Sequence, residues 1–305
     1  MASEQTSSST APIVVTGANG FVGSSVCAAL VDRGAPVRAI VRRAGTAPSL
    51  TGVEEIVGDF YDPELAARAC SGARSVVNTV HPMQDDDGPQ ETAVEWARSL
   101  AEAARDADVP LFVQVSTTSV YEREGDTGDV DELSPMVADD ANEYAVTKRD
   151  AELRLGEVDG ITRVLVRPTA ILGAGETSVW NTLQPERIRT DVSARTDDPE
   201  RTFGWVHVRD LADLIADIAT GRIPTSSGAD QGPVPGLATP VNAVSGNVPL
   251  REYAGRVCAA VGVEPVWETR DAFRAELRAE RARSWGWSPK VSFEQAMAEL
   301  VDGLA

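Results

Sequence analysis

Thr16-Gly17-Ala18-Asn19-Gly20-Phe21-Val22-Gly23 is the stretch that decides the fold of this chain. It follows the apolar run Pro12-Ile13-Val14-Val15 and opens a helical pattern over residues 24–33. The order is strand, glycine turn, helix, and each glycine answers a separate demand. Gly17 permits the tight turn off the strand. Gly20 has no side chain, so a pyrophosphate can approach the backbone and rest on the helix N-terminus. Gly23 lets the helix pack close to the strand. Three such glycines can also form a plain turn; the strand before and the helix after are the context that marks a dinucleotide site.

Working outward, residues 36–41 read as a second strand ending in Arg42-Arg43, and Val53–Val57 as a third, followed by Gly58-Asp59-Phe60. Asp62-Pro63 starts a helix, with Asp as cap and Pro in the first turn. Residues 76–80 are a fourth strand, Gln90–Asp106 a long helix, Leu111–Val115 a fifth strand, 142–156 a helix and 161–166 a sixth strand. This alternation predicts an α/β, Rossmann-type doubly wound parallel sheet, with ligands outside the carboxyl ends of its strands. Beyond Pro168 the regularity fails. Residues 173–202 are loop-rich, 203–208 form a strand, 210–219 a helix, and 221–240 a Gly/Pro/Ser-rich surface excursion. Three helices are expected near 250–261, 270–283 and 292–302. The expected organisation is a disordered tail at 1–10 and a dinucleotide-binding domain at 11–170 with a return segment near 203–220. A smaller, irregular C-terminal substrate cap would fill 171–305.

The chain has 305 residues, 42% hydrophobic, and a net charge of −19, so nucleic acid and anionic membranes are excluded as partners. No apolar run approaches the roughly 18 residues of a membrane span, and the opening MASEQTSSSTA lacks the pattern of a signal peptide. Cys27, Cys70 and Cys258 are far apart and odd in number, as expected of small buried thiols in a reducing compartment; the expected location is cytoplasmic. No metal site is expected. His81 and His207 are distant in sequence, and Asp85-Asp86-Asp87 reads as a solvated loop tip rather than a metal cluster. Of 28 basic residues only Lys148 and Lys290 are lysine, which draws attention to each.

Tyr144 and Lys148, four apart, share a helix face. A free phenol has a pKa of about 10; a neighbouring ammonium lowers it and makes the pair a proton donor and acceptor. The plainer alternative is a surface pair. Ser116-Thr117-Thr118-Ser119 ends the fifth strand, where a hydroxyl can hold a substrate oxygen or simply shape a turn. Glycine turn, hydroxyl cluster and Tyr-Lys pair in this order form one catalytic constellation.

Here the sequence resembles the extended short-chain dehydrogenase/reductase family, which includes the NAD(P)-dependent epimerase/dehydratases. TGANGFVG matches its TGxxGxxG, YAVTK its YxxxK, and STTSVY the strand-five segment with the catalytic hydroxyl four residues before a tyrosine. Val-Arg-Pro-Thr (166–169), Trp-Val-His-Val-Arg-Asp-Leu-Ala (205–212) and Gly-Trp-Ser-Pro-Lys-Val-Ser-Phe (286–293) resemble later signatures. The resemblance implies Tyr144 as general acid/base, Lys148 lowering its pKa and holding the nicotinamide ribose, and Thr117 on the reacting oxygen. It implies cofactor contacts from Gly17, Asn19, Gly20, Phe21, Val22 and Gly23, from Asp59 and Phe60 at the adenine, and from Thr79 and Val80 at the nicotinamide. Pro168 and Thr169 complete that set. The family's asparagine in the helix before strand five falls on Thr92, and the Asp-Glu pair of its dehydratases falls on Thr118 and Ser119, so dehydration is not expected. A homodimer through helices 90–106 and 142–156 is a further implication.

The substrate side is expected near His81, Thr118, Trp180 and Arg187. Arg187, Arg189 and Arg195 could clamp a diphosphate or carboxylate, or merely balance an acidic surface. His207 reads as a packed core residue and Asp210 as a helix cap. At the end of strand two the place of a ribose-binding acid falls on Val41, Arg42 and Arg43 follow, and no Asp or Glu lies between Ala35 and Val53. That favours NADP(H) over NAD(H). The expected activity is an NADP(H)-dependent oxidoreductase acting on a small carbonyl or carbinol. The alternatives are a nucleotide-sugar epimerase with tightly held cofactor, and a non-catalytic NADP-sensing regulatory protein.

Overall fold

The computed structural model describes residues 11–59, 62–80 and 90–304. The expected tail at 1–10, Phe60, and the loop carrying His81 and Asp85-Asp86-Asp87 lie outside them. The chain forms two compact units, neither a continuous stretch. The first is Met1–Val115, Asp150–Leu165 and Ala212–Thr239; the second is Ser116–Arg149, Val166–Leu211 and Pro240–Ala305.

The elements follow the alternation expected. They are β1 (Ile13–Thr16), α1 (Phe21–Asp32), β2 (Val37–Val41), β3 (Val53–Val57), α2 (Pro63–Cys70), β4 (Ser75–Asn78), α3 (Gln90–Asp106), β5 (Leu111–Val115), α4 (Glu143–Gly156) and β6 (Thr162–Pro168). With β10 (Ala238–Ala243) these strands build a seven-stranded sheet of order β10-β6-β5-β4-β1-β2-β3. The pairings β2–β3, β1–β2, β1–β4 and β4–β5 are parallel. Strand order reverses at β1, between β2 and β4, and a Rossmann-type sheet binds its ligand outside the strand ends at that point. Strands β1 and β4 are buried along their whole length, as parallel strands covered on both faces must be. Apolar side chains of the sheet meet α2 and α3: Val14 of β1, Ile40 of β2, Val76 of β4 and Phe112 of β5 pack with Leu65, Ala69, Leu100 and Ala104. Asp62 caps α2 by accepting the Glu64 amide, with Pro63 in the first turn, as its sequence implies.

Unit 1 takes in α6 (Val208–Ala219) from Ala212 onward. Arg33 pairs with Asp213 at 3.0 Å and Asp217 at 2.8 Å, Ser75 Oγ donates to the Ala219 carbonyl, and Arg74 donates to the Thr220 carbonyl.

Unit 2 holds β7 (Ala170–Leu172), α5 (Gln184–Thr190), β8 (Thr196–Asp197), β9 (Thr202–His207), β11 (Gly246–Pro249), α7 (Leu250–Val261), β12 (Val266–Trp267), α8 (Glu280–Ser284) and α9 (Phe293–Leu304). A three-stranded sheet runs β11-β9-β7, and β12 pairs with β8. Its core centres on Phe203 stacked on Tyr253, ring centroids 4.5 Å apart, with Trp180 edge-on to both. One expectation fails. Residues 270–283 were expected to be helical, but only Glu280–Ser284 is. Tertiary partners take the backbone groups a helix would have used: the Glu276 amide bonds Asp129, the Leu277 amide bonds Asn247, and the Arg278 amide bonds the Val130 carbonyl. Burial of Phe273 and Leu277 completes the extended course.

Candidate active site

In unit 1 the glycine turn has the geometry its sequence requires. Gly17 has φ +64°, and a Cβ there would lie 2.9 Å from Thr79 Oγ1. A Cβ on Gly23 would lie 2.1 Å from the Gly17 carbonyl oxygen, so only glycine lets α1 start so close to β1. A Cβ on Gly20 would meet only the Gly17 carbonyl oxygen within 4 Å. Gly20 caps α1 without a side-chain acceptor, so the first amides of α1 can serve a ligand phosphate. The cradle thus fits a pyrophosphate. Asn19 is exposed, and Phe21 and Val22 are half-buried.

Behind the turn lies a polar chain the sequence reading missed. Thr16 Oγ1 donates to Asn78 Oδ1 at 2.5 Å, Asn78 Nδ2 to Gln114 Oε1 at 2.8 Å, and Gln114 Nε2 to the Val115 carbonyl at 2.9 Å. Thr79 Oγ1 donates to the Thr16 carbonyl at 2.7 Å. All of these side chains except Thr79 are buried, so the chain locks the carboxyl ends of β1, β4 and β5 together. The available signal was a polar residue at or near the end of three apolar strands.

After β2, Arg42 and Arg43 are exposed. The loop behind them is held by Glu55 of β3, whose carboxylate accepts the Gly45 amide at 2.9 Å and the Ala47 amide at 3.0 Å. These amides hold its pKa below the usual carboxylate range. Asp59 is exposed and Val80 half-buried.

In unit 2, Thr117 leaves β5 with an extended backbone and is 7% exposed. Its Oγ1 accepts the Ser119 amide at 3.1 Å, and its side chain is hydrogen-bonded to that of Tyr144. Asn142 caps α4 by accepting the Ala145 amide, which sets where Tyr144 emerges. Lys148 follows one turn on, buried. The sequence reading expected Lys148 to lower the Tyr144 pKa. Instead, protein crowding around the hydroxyl raises it, although 43% of the residue is exposed, and the Thr117 hydrogen bond pulls against that rise. Desolvation disfavours the phenolate more than one hydroxyl partner favours it. Ser116 Oγ is buried without a partner among the described residues, and Thr118 is buried in the short turn that follows.

The remaining expected residues are placed as follows. Pro168 ends β6, and Thr169 donates its amide and Oγ1 to the Ala243 carbonyl. Trp180 packs on Phe203 and Tyr253, and its carbonyl accepts the Tyr253 hydroxyl. Arg187 is exposed on α5, Arg189 pairs with Glu186, and Arg195 donates to the Ile188 carbonyl. His207 is buried, accepts the Arg209 amide at Nδ1, and sets Nε2 3.2 Å from Glu299. Among the described residues no cluster could hold a metal ion, and no helix is long and apolar enough to cross a membrane.

A seven-stranded sheet with a glycine turn at its switch point, and a Thr-Tyr-Lys set beyond β5, define a nicotinamide-dinucleotide enzyme class. Residues 13–222 match the model of the NAD dependent epimerase/dehydratase family. The chain belongs to this family and is an NAD(P)-dependent oxidoreductase/epimerase of the extended short-chain dehydrogenase/reductase type. It is 26% identical over 257 residues to a 3 beta-hydroxysteroid dehydrogenase/Delta 5-->4-isomerase of Mycobacterium tuberculosis, covering 80% of this chain and 70% of that protein. It is 28% identical over 285 residues to a 2-alkyl-3-oxoalkanoate reductase of Stenotrophomonas maltophilia, covering 88% and 82%. Among solved structures it is similar to WbmH of Bordetella bronchiseptica in complex with NAD+, with TM-score 0.76, 20% identity, and 96% and 98% of the two chains covered. That last likeness speaks to the fold alone.

Proposed function

We propose that the protein is an NADP(H)-dependent oxidoreductase that moves a hydride to or from the carbonyl or carbinol carbon of a small-molecule substrate. The observation that carries this reading is the hydrogen-bonded Thr117–Tyr144 pair with Lys148 one helical turn beyond. The cofactor, when bound, supplies or accepts the hydride. In unit 1 the glycine turn would take the pyrophosphate, Arg42 and Arg43 the 2′-phosphate, Asp59 the adenine, and Thr79 and Val80 would border the nicotinamide. In unit 2 Lys148, Pro168 and Thr169 would hold the ribose end. Thr117 fixes the substrate oxygen, and Tyr144 gives that oxygen a proton in reduction or takes it in oxidation. A phenol is protonated at neutral pH, so Tyr144 stands ready to donate in reduction.

Ketone-reducing relatives such as the 2-alkyl-3-oxoalkanoate reductase support this reading. Against the nucleotide-sugar alternative, Arg189 and Arg195 are engaged within unit 2 by Glu186 and the Ile188 carbonyl. The test is Tyr144→Phe. With a reducible carbonyl substrate we expect cofactor affinity to be retained and turnover to fall about 10²-fold or more. Turnover near the wild-type rate would refute the mechanism.

A further inference from the structure

Arg123 stands six residues beyond Thr117 on the same run of chain. Residues 118–120 form one short helical turn, and the segment then runs out beside 135–137. About 6 Å of tight helix and about 10 Å of extended chain bound the Cα separation from Thr117 at about 16 Å. The path is fixed along its length. The Val137 amide bonds the Val120 carbonyl at 2.8 Å, and the Glu122 amide bonds the Pro135 carbonyl at 3.0 Å. Tyr121 is buried, its hydroxyl donating to Asn242 and accepting from Arg167. Arg123 is therefore presented by a rigid base.

Its side chain is half-buried, and among the described residues it has no hydrogen-bond acceptor and no carboxylate partner. Other arginines in that state, Arg43, Arg68 and Arg283, are exposed. Among the described residues the one charge that acts on it is a second cation, Arg201. Thr202 donates its amide to the Phe273 carbonyl and its Oγ1 to the Ala275 carbonyl, and a Cβ on Gly125 would collide with Asp271. This brings Arg201 and the 271–275 segment to the Arg123 turn. Arg201 is already paired with Asp197 and Arg274 with Asp198, while Asp271 forms no ion pair with Arg123. Burial, with the Arg201 charge, pulls the Arg123 pKa down to about 10, so the group remains a cation at neutral pH.

A half-buried guanidinium without a counter-ion is costly. This chain carries 47 acidic residues to 28 basic, so an acidic partner was chemically at hand and is not used. A guanidinium left open on the chain that carries Thr117 is suited to fork onto an anionic ligand. We propose that Arg123 binds a carboxylate or phosphate on the substrate, so the carbonyl compound or carbinol handled at Thr117 and Tyr144 carries an anionic group. This rests on the oxidoreductase reading above and adds a substrate class to it.

The experiment uses straight-chain oxo acids with the carbonyl at increasing distance from the carboxylate, their methyl esters, and the matching oxo-alkyl phosphates, each with NADPH. Wild-type and Arg123→Met proteins are compared by turnover and by ligand-induced thermal shift. We expect the wild type to favour a charged member over its ester by about tenfold or more in kcat/KM, the worth of one charge-assisted pair. In Arg123→Met that ratio falls toward one, chiefly through KM, and Arg123→Lys recovers part of it. The acid and phosphate arms identify which anion is bound. An ester used as well as its acid, or a charged preference that survives Arg123→Met, overturns the proposal. If no carbonyl compound is turned over, the oxidoreductase reading fails. The thermal shift then decides: acid- or phosphate-dependent stabilisation lost in Arg123→Met upholds the anion site, and its absence from the wild type overturns it.

Discussion

At Val41 the chain lacks the carboxylate that would hold an adenosine ribose, and Arg42 and Arg43 follow, exposed, on a loop fixed by Glu55. A 2′-phosphate can pair with those guanidinium groups, whereas a 2′-hydroxyl finds no acid there. Calorimetric titration should give NADP(H) at least about tenfold tighter than NAD(H), about 1.4 kcal/mol. Arg42→Ala should weaken NADP(H) and leave NAD(H) nearly untouched; equal affinities in the wild type would refute the assignment. These arginines were legible in sequence because their position is counted from the glycine turn. Arg123 was not, because its interest lies in having no acceptor, and only folding reveals which of 28 basic residues are paired.

Among the elements, β9, the first turn of α6 and α9 are tied together within unit 2. Asp210 accepts the Lys290 and Val291 amides, its carbonyl takes the Trp287 indole N–H, and His207 faces Glu299. Burial holds the His207 pKa below its ordinary value against the opposing pull of Glu299. Burial would raise Glu299, but the Ala174 amide and His207 outweigh it and hold it low. In both cases the unfolded chain binds more protons than the folded one as pH falls, so acid destabilises. Thermal midpoints should be flat near pH 7–8 and decline below about 6.5, with Glu299 adding to the loss below about 4.3. His207→Gln should remove the first part of that decline; an unchanged profile would refute the role. Sequence named the strand, both helices and the core placing of His207, since their apolar periodicity is local. It missed the extended 270–279 segment, whose course is dictated by Asp129, Asn247 and Val130, far away in the chain.

For the whole molecule, the sheet and the order of its elements were readable because alternating strands and helices admit few topologies. The irregular second half was readable only as irregular. Family resemblance points to a homodimer through α3 and α4, and Leu153, 55% exposed on α4, is an apolar side chain that a second copy could cover. Light scattering should give the mass of two chains, reduced to one by Leu153→Glu; a monomeric wild type would refute it. The clasp of Arg33 by Asp213 and Asp217 has a consequence for synthesis. On the ribosome, Arg33 at the end of α1 emerges some 180 residues before the α6 carboxylates that hold it. Such non-local closure slows folding and leaves apolar surface waiting. A nascent chain halted before residue 208 should therefore be a substrate for chaperones and proteases rather than a finished nucleotide-binding module.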